Sequence, residues 1–344
     1  MKQTFLSPKT LLNKVGLDGF LLALLSLILL AYLWPGPGLV TGPASLGSLA
    51  NYGLSAVFFF YGLRLSPKEL RDGLSNWRLH LLVQAATFVL FPLLLLAVKP
   101  LVPQQADLLW LGTFYLAALP STVSSSVVMV SMARGNIPAA IFNASISSLL
   151  GVFITPLWMA LFLSADVSGM DTSGIIFKLA LQVLAPVLVG ISLHSYFGGW
   201  ALKYKKQLRY FDQSVILTIV YTSFCHSFAG HVFDQLSAMQ IILLGALLAL
   251  LFFTAYFILS AVARLAGLQR EERVTLLFCG SKKSIVHGTV MSKVLFQQSA
   301  AAGIMLLPIM MYHALQLIFV SLIAQRMARA VEAAPTLQRV PTES

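Results

Sequence analysis

Long apolar runs separated by short polar punctuation make up most of the chain. Apolar windows predict helices at about 17–34, 46–64, 78–98, 108–133, 137–163, 174–197, 212–231, 239–263, 273–297 and 301–325. Each run approaches the ~20 residues needed to cross ~30 Å of hydrocarbon. Unbroken runs, rather than alternating ~10-residue strands, exclude a β-barrel. The connections carry Pro, Gly or charge, as in Pro35-Gly36-Pro37-Gly38, Ser66-Pro67-Lys68-Glu69 and Arg134-Gly135-Asn136-Ile137-Pro138. No extramembrane domain fits between them. The pattern therefore defines an all-α polytopic membrane protein with ten transmembrane helices and a tail at 326–344. Phe20 to Trp34, preceded by Lys2, Lys9 and Lys14, resembles a signal peptide. Its length and the many runs that follow make it the first retained span.

Composition agrees. Apolar residues are 58% of 344, charged residues 10%, and mean hydropathy is +0.84; a soluble domain is roughly half apolar and about 25% charged. A disordered chain, a disulfide scaffold and a water-soluble globule are excluded. Cys225 and Cys279 both lie in apolar segments and read as small packing residues. The net charge of +11 raises nucleic acid as a partner, but no basic stripe interleaved with aromatics supports it.

The charge instead reports topology. With ten spans, eighteen of the 23 Lys and Arg fall on the side holding both termini: Lys2 to Lys14, Arg64 to Arg78, Arg134, Lys203 to Arg209, Arg264 to Arg273 and Arg326 to Arg339. The other side has Lys99, Lys178 and Lys293, with Asp107, Asp166, Asp171 and Asp234. Both termini are therefore expected in the cytoplasm, with the chain set in the lipid bilayer of a cell membrane.

Ten spans divide into five plus five, so the second half enters the membrane inverted, the plan of many secondary transporters. Equivalent spans 4 and 9 carry the most unusual interruptions. Span 4 contains Leu119-Pro120-Ser121-Thr122-Val123-Ser124-Ser125-Ser126. Proline removes a donor and kinks a helix, and the hydroxyls either bond back to the backbone or face a polar cavity. A plain kink with interhelical serine packing is the competing reading. Span 9 contains Phe278-Cys279-Gly280-Ser281-Lys282-Lys283-Ser284. At ~1.5 Å per residue the lysines lie about half-way through the hydrocarbon, too deep to snorkel. An intramembrane charge costs at least ~2.5 kcal/mol on insertion scales and marks function by default. The competing reading places them in a cytoplasmic loop, but residues 285–296 alone are too short to cross.

If both helices break, two half-helix N-termini, near Thr122 and Ser284, point to mid-membrane with partial positive charge. Together with Lys282 and Lys283 they favour an anion. No Asp or Glu is expected at mid-depth. Gln84 and Thr87 on span 3, Asn143 and Ser147 at i,i+4 on span 5, Thr254 on span 8, and His313 with Gln316 on span 10 are further polar candidates. Singly, each is as readily an interhelical hydrogen-bonding residue. His226 and His231 have the wrong spacing for a shared helical face, and no metal motif is present.

On these residues the chain resembles the bile acid/sodium symporter family, and within it the SBF-like branch of bacterial symporters related to the orphan seventh member of the vertebrate family. The resemblance covers roughly residues 10–330. It rests on the ten-span layout, Cys279-Gly280-Ser281-Lys282-Lys283-Ser284, Ala133-Arg134-Gly135-Asn136 and the Gln84 to Pro92 stretch. It implies a panel domain (17–64 and 174–231; spans 1, 2, 6 and 7) and a core domain (78–163 and 239–325; spans 3, 4, 5, 8, 9 and 10). Broken helices 4 and 9 would cross in the core, with alternating access by movement between domains. Sodium-coupled members hold two sodium ions with hydroxyls and amides of spans 4 and 5, a span-3 Gln and a span-9 Glu-x-x-x-Gln stretch. Ser126 matches a span-4 hydroxyl ligand and Gln84 the span-3 Gln, leaving sodium ligation open there. Phe278 and Lys282 fall where the Glu and Gln belong. Ala140 and Ala144 replace span-5 hydroxyls, with Asn143 and Ser147 one register away. These departures put the usual two-sodium mechanism in question while leaving the fold intact.

The leading expectation is a secondary transporter for a small organic anion, without cofactor. Its site would draw on Gln84, Pro120, Ser121, Thr122, Ser124, Ser125, Ser126, Asn143, Ser147, Gly280, Ser281, Lys282, Lys283, Ser284 and His313. A lysine there binds the anion, replaces a sodium ion or carries a proton. A non-transporting membrane regulator, for example of calcium entry, and a cation/proton antiporter stay open as alternatives. The antiporter would normally want mid-membrane carboxylates. An intramembrane enzyme using Ser281 and Lys282 fails, because adjacent residues point apart on a helix and no oxyanion site accompanies them.

Overall fold

The computed structural model describes residues 19–64, 76–104, 107–166, 185–296 and 302–333. The expected start of span 6 (174–184), the Ser66 to Glu69 connection and the 334–344 end of the tail lie outside them.

Among the described residues the chain is helical and without strands. In order come α1 (Gly19–Leu33), α2 (Leu46–Leu63), α3a (Trp77–Ala85), a π-helical turn (Ala86–Leu90), α3b (Phe91–Val98), α4a (Asp107–Ala118), α4b (Ser124–Met132) and α5 (Ile137–Asp166). The second half has α6a (Ala185–Ser192), α6b (His194–Lys203), α7 (Lys205–Ala229), α8 (Ala238–Leu265), α9a (Arg270–Gly280), α9b (Ile285–Leu295) and α10 (Ala302–Ala333). Among the described residues, five stretches are long and apolar enough to cross a membrane: Leu46–Leu63, Trp77–Leu101, Ile137–Phe162, Ala238–Leu265 and Ala302–Ala330.

Observed boundaries depart from the apolar windows where a polar segment is helical. α7 begins at Lys205 rather than 212, because Leu208 is buried while Lys205, Lys206 and Arg209 are exposed. One buried side per turn suffices to dock a helix whose average is polar. α10 likewise runs to Ala333, into the stretch read as tail. α9a begins at Arg270 because Gln269 and Glu272 form a reciprocal cap.

Small residues set the closest approaches. A Cβ on Gly62 would lie 2.2 Å from the Val187 carbonyl, and one on Gly190 2.2 Å from the Phe59 carbonyl. Only glycine lets α2 and α6a bring their backbones together in this way. α1 and α2 also pack on α7, and Arg64 at the end of α2 pairs with Asp212 of α7 at 2.9 Å. Elsewhere α10 packs on α4a, α8 and α9b, while α9a packs on α3a, α4b, α5 and α8. α7 touches α9b and α10 and so joins the two groups.

The turn after α4b is built by its sequence. Arg134 takes the left-handed conformation (φ 56), and the Gly135 N–H returns to the Val130 carbonyl at 2.8 Å, closing the helix. A Cβ on Gly135 would meet Val274 of α9a at 2.6 Å. Asn136 then caps α5 by accepting from the Ala139 N–H at 3.0 Å.

Candidate functional site

Helical hydrogen bonding stops at Ala118 and resumes at Ser124, and stops again at Gly280 and resumes at Ile285. The two gaps are in contact. The Ser284 N–H donates to the Pro120 carbonyl at 2.9 Å, and the Ser126 hydroxyl reaches the Phe278 carbonyl at 3.4 Å. Each break thus supplies partners for polar backbone that the other leaves unpaired. Pro120 sits against Gly151 of α5, whose bare α-carbon leaves the ring its space: a Cβ there would lie 2.6 Å from it. A Cβ on Gly280 would meet Ala86 of the π turn at 3.1 Å.

The two lysines have different environments. Lys283 is 1% exposed. Its Nζ donates to the carbonyls of Thr87 (2.6 Å), Ala117 (2.6 Å) and Leu119 (3.0 Å), and lies 4.3 Å from the centre of the Phe91 ring. Three acceptors match the three N–H bonds of an ammonium, and the ring face adds a cation–π contact. The acceptors have a structural origin. Ala117 and Leu119 belong to the unsatisfied carbonyl end of α4a, which is partly negative. Thr87 belongs to the π turn, whose wider register also lets Phe88 accept from Trp158 at 2.9 Å. The Lys283 main chain is clamped by Gln316: its N–H donates to Oε1 at 2.8 Å and its carbonyl accepts from Nε2 at 2.9 Å.

Lys282 is fully buried, and its Nζ has one partner among the described residues, the Ser125 hydroxyl at 2.7 Å. Ser125 donates to Thr122 Oγ1 at 2.9 Å, and Thr122 pairs with Ser126 at 2.8 Å. Ser125 and Ser126 lie on the first turn of α4b, which starts without a side-chain cap, and Thr122 lies just before it. Two N–H bonds of the Lys282 ammonium and the first amides of α4b are therefore available to an acceptor.

Among the described residues the remaining candidates do not bond the lysine ammonium groups, although the Ser121 hydroxyl lies 3.5 Å from that of Ser126. Ser147 of α5 accepts from the Ser121 N–H at 2.9 Å and ties α5 to the first break. Gln84 has no hydrogen bond to either lysine among the described residues. It donates to the carbonyl and Oδ1 of Asn143 (3.2 and 3.3 Å), and Asn143 also pairs with His80 at 2.8 Å. Ser281 bonds back to the Leu277 carbonyl at 2.6 Å. His313 acts through Gln316, 3.1 Å away. Ser284 caps α9b by accepting from the His287 N–H at 3.3 Å. Ser124 lies at the start of α4b.

Of the two oxygens open to sodium, Gln84 Oε1 is a buried acceptor without a partner among the described residues. The Ser126 hydroxyl pairs with Thr122 and reaches the Phe278 carbonyl, and it lies 3.5 Å from the Ser121 hydroxyl. The carbonyls that converge at the first break hold the Lys283 ammonium.

Sequence reasoning missed the carbonyls of Ala117 and Leu119, since backbone acceptors leave no trace in residue identity. It also passed over His287, whose Nε2 is buried without a partner beside the rings of Phe58 and Tyr61. A polar residue one turn after Ser284 was the signal.

Apolar helices of membrane-crossing length, packed around two helix interruptions where buried charge and free helix ends meet, define an integral membrane protein of the transporter class. The family model of the SBF-like CPA transporter family matches residues 18–329, and the chain belongs to that family. It is 41% identical over 327 residues to an uncharacterized protein of Pseudomonas aeruginosa, covering 94% of this chain and 97% of that one. It is 34% identical to the Escherichia coli protein named "Putative symporter YfeH" (92% and 94% covered). It is 31% identical to sodium/bile acid cotransporter 7-A of Xenopus laevis (91% and 92% covered).

Proposed function

We propose that the protein is a secondary carrier of a small organic anion, working by alternating access across a bacterial inner membrane. The observation that carries this reading is Lys282: a buried amine with one hydroxyl partner, beside the uncapped N-terminus of α4b. A carboxylate or sulfate there would receive charge-assisted bonds from Lys282 and the helix amides, with Ser125 and Thr122 orienting it. Cotransporter names among the relatives support small-molecule transport.

In this reading the helices form ten spans as two inverted sets of five, with both termini cytoplasmic. The half-helices of α4 and α9 count as one span each. α4a and α4b have 12 and 9 residues, α9a and α9b 11 each, so either half alone is too short for ~30 Å at ~1.5 Å per residue. α1, α2, α6 and α7 form a panel against which the core of α3, α4, α5, α8, α9 and α10 moves. Lys283 supplies a fixed positive charge at the crossing, where sodium-coupled relatives would need an ion. Lys282 is the group that meets the substrate or carries a proton with it.

The test is thermal denaturation of the purified protein with small carboxylates and sulfates, with and without sodium. A ligand of the folded state raises the melting temperature by mass action. Stabilisation by an anion, independent of sodium and absent in Lys282→Met, is the expected result. No stabilisation by any anion would favour a membrane regulator that carries nothing.

A further inference from the structure

Away from the helix crossing, a cavity of about 350 Å³ opens between α8, α9a and α10, lined by Tyr256, Arg264, Arg270, Arg273 and Met327 among others. A water occupies ~30 Å³ in the liquid, so the space accepts a polar headgroup. Three guanidiniums on one small cavity repel one another unless an anion joins them. None of the three forms an ion pair among the described residues. The η-nitrogens of Arg264 and Arg273 have no protein acceptor there: each arginine uses Nε alone, on the Ser260 and Leu268 carbonyls at 3.2 and 2.6 Å. The nearby Glu272 carboxylate is turned away, held by the Gln269 N–H at 3.0 Å and by Asn76.

The walls below the arginines are apolar, and the cavity lies at the end of α8, a membrane-length helix. Leu250, Phe257 and Arg264 recur every seven residues, so they share one helix face. Leu250 is 61% exposed and Phe257 65%. A ligand whose phosphate sits at Arg264 would find an apolar track running directly into the bilayer. That combination selects an amphipathic anion over free phosphate.

We propose that this cavity binds the phosphate headgroup of an anionic phospholipid, held by Arg264 and Arg273, with an acyl chain along Phe257 and Leu250. Basic pockets between membrane helices on the cytoplasmic side take such headgroups. Only the assignment of this end to the cytoplasmic leaflet rests on the carrier reading. Arg270 gives the site reach: it donates to the carbonyls of Ala133 (3.1 Å), Arg134 (3.2 Å) and Met327 (3.4 Å). A bound headgroup would therefore bear on the outer ends of both interrupted helices at once.

The test measures melting temperature of the full chain in neutral detergent with added phosphatidylglycerol, phosphatidylcholine or inorganic phosphate. Phosphatidylglycerol should stabilise well above the other two. The double variant Arg264→Gln/Arg273→Gln should weaken the apparent phosphatidylglycerol affinity at least tenfold while melting normally in phosphatidylcholine. Lys206→Gln/Arg209→Gln, which removes the same charge elsewhere, should leave it unchanged. Equal stabilisation by both lipids, an equal effect of inorganic phosphate, or equal loss in both double variants would overturn the site. Because the readout is lipid binding, failure of anion transport would leave it standing.

Discussion

The Ser284 N–H and the Pro120 carbonyl meet at 2.9 Å, joining two helix interruptions 164 residues apart in sequence. Proline removes a donor from its own helix, and the break beyond Gly280 frees an N–H in the other. Each defect is therefore tolerable because the other exists, as backbone away from water requires.

The contact depends on Gly151. A Cβ there would lie 2.6 to 2.9 Å from three atoms of the Pro120 ring, and a proline ring cannot rotate away. Gly151→Ala should therefore displace the first break, costing about 1–3 kcal/mol as overpacking does. Thermal denaturation of the purified variant reads this directly. A melting temperature equal to that of the parent would mean the crossing is not held from this side.

Helix periodicity and charge make much of this legible. Pro120 with its hydroxyls, and Gly280 beside two lysines, mark interruptions at the segments where helical bonding lapses. The division of labour between the lysines is not legible, because the residues around Lys283 Nζ contribute carbonyls, and Ala117 or Leu119 gives no hint of that. The π turn at Ala86–Leu90 is equally hidden: Ala-Thr-Phe-Val-Leu reads as ordinary helix, and its register is set by the α5 and α9 side chains it accepts. Gln84 reads as a neighbour of the lysines because it is polar and in span 3, yet its Nε2 donates to Asn143 and its Oε1 is left without a partner among the described residues.

Gln316 should be a structural clamp. Its amide holds the Lys283 N–H and carbonyl at 2.8 and 2.9 Å, two backbone groups that the break leaves without helical partners. Gln316→Leu keeps most of the volume and orphans both, at about 1–3 kcal/mol for each buried group. Gln316→Glu in its ionised form retains the acceptor and loses the donor, so it should fall between the two in melting temperature. Gln316→Leu melting with the parent protein would contradict the clamp.

Topology makes its own prediction. Basic residues crowd one side, so single cysteines at Lys68, Arg134, Lys205 and Arg270 should resist an impermeant thiol reagent in intact cells. The background needs Cys225 and Cys279 replaced, both free and buried. Labelling at Lys205 from outside would break the ten-span arrangement, since that residue opens α7 directly after α6b.

The two lysines should separate in a mutant series. Lys283→Met keeps the apolar stem but leaves the carbonyls of Thr87, Ala117 and Leu119 facing one another without a donor. At about 1–3 kcal/mol per orphaned group, the variant should melt well below the parent whether or not substrate is present. Lys282→Met forfeits a single bond to Ser125 and removes a buried charge, so its melting temperature should stay close to that of the parent. Its anion-dependent stabilisation and uptake should fall at least tenfold, about 1.4 kcal/mol of binding. Lys282→Arg should also impair uptake, because a planar guanidinium replaces a compact ammonium in a buried space. The same uptake measurements, repeated with sodium replaced by choline, should give the same rates. Full uptake in Lys282→Met would remove that residue from the site, and strict dependence on sodium in the parent would show that Gln84 and Ser126 come together around an ion after all.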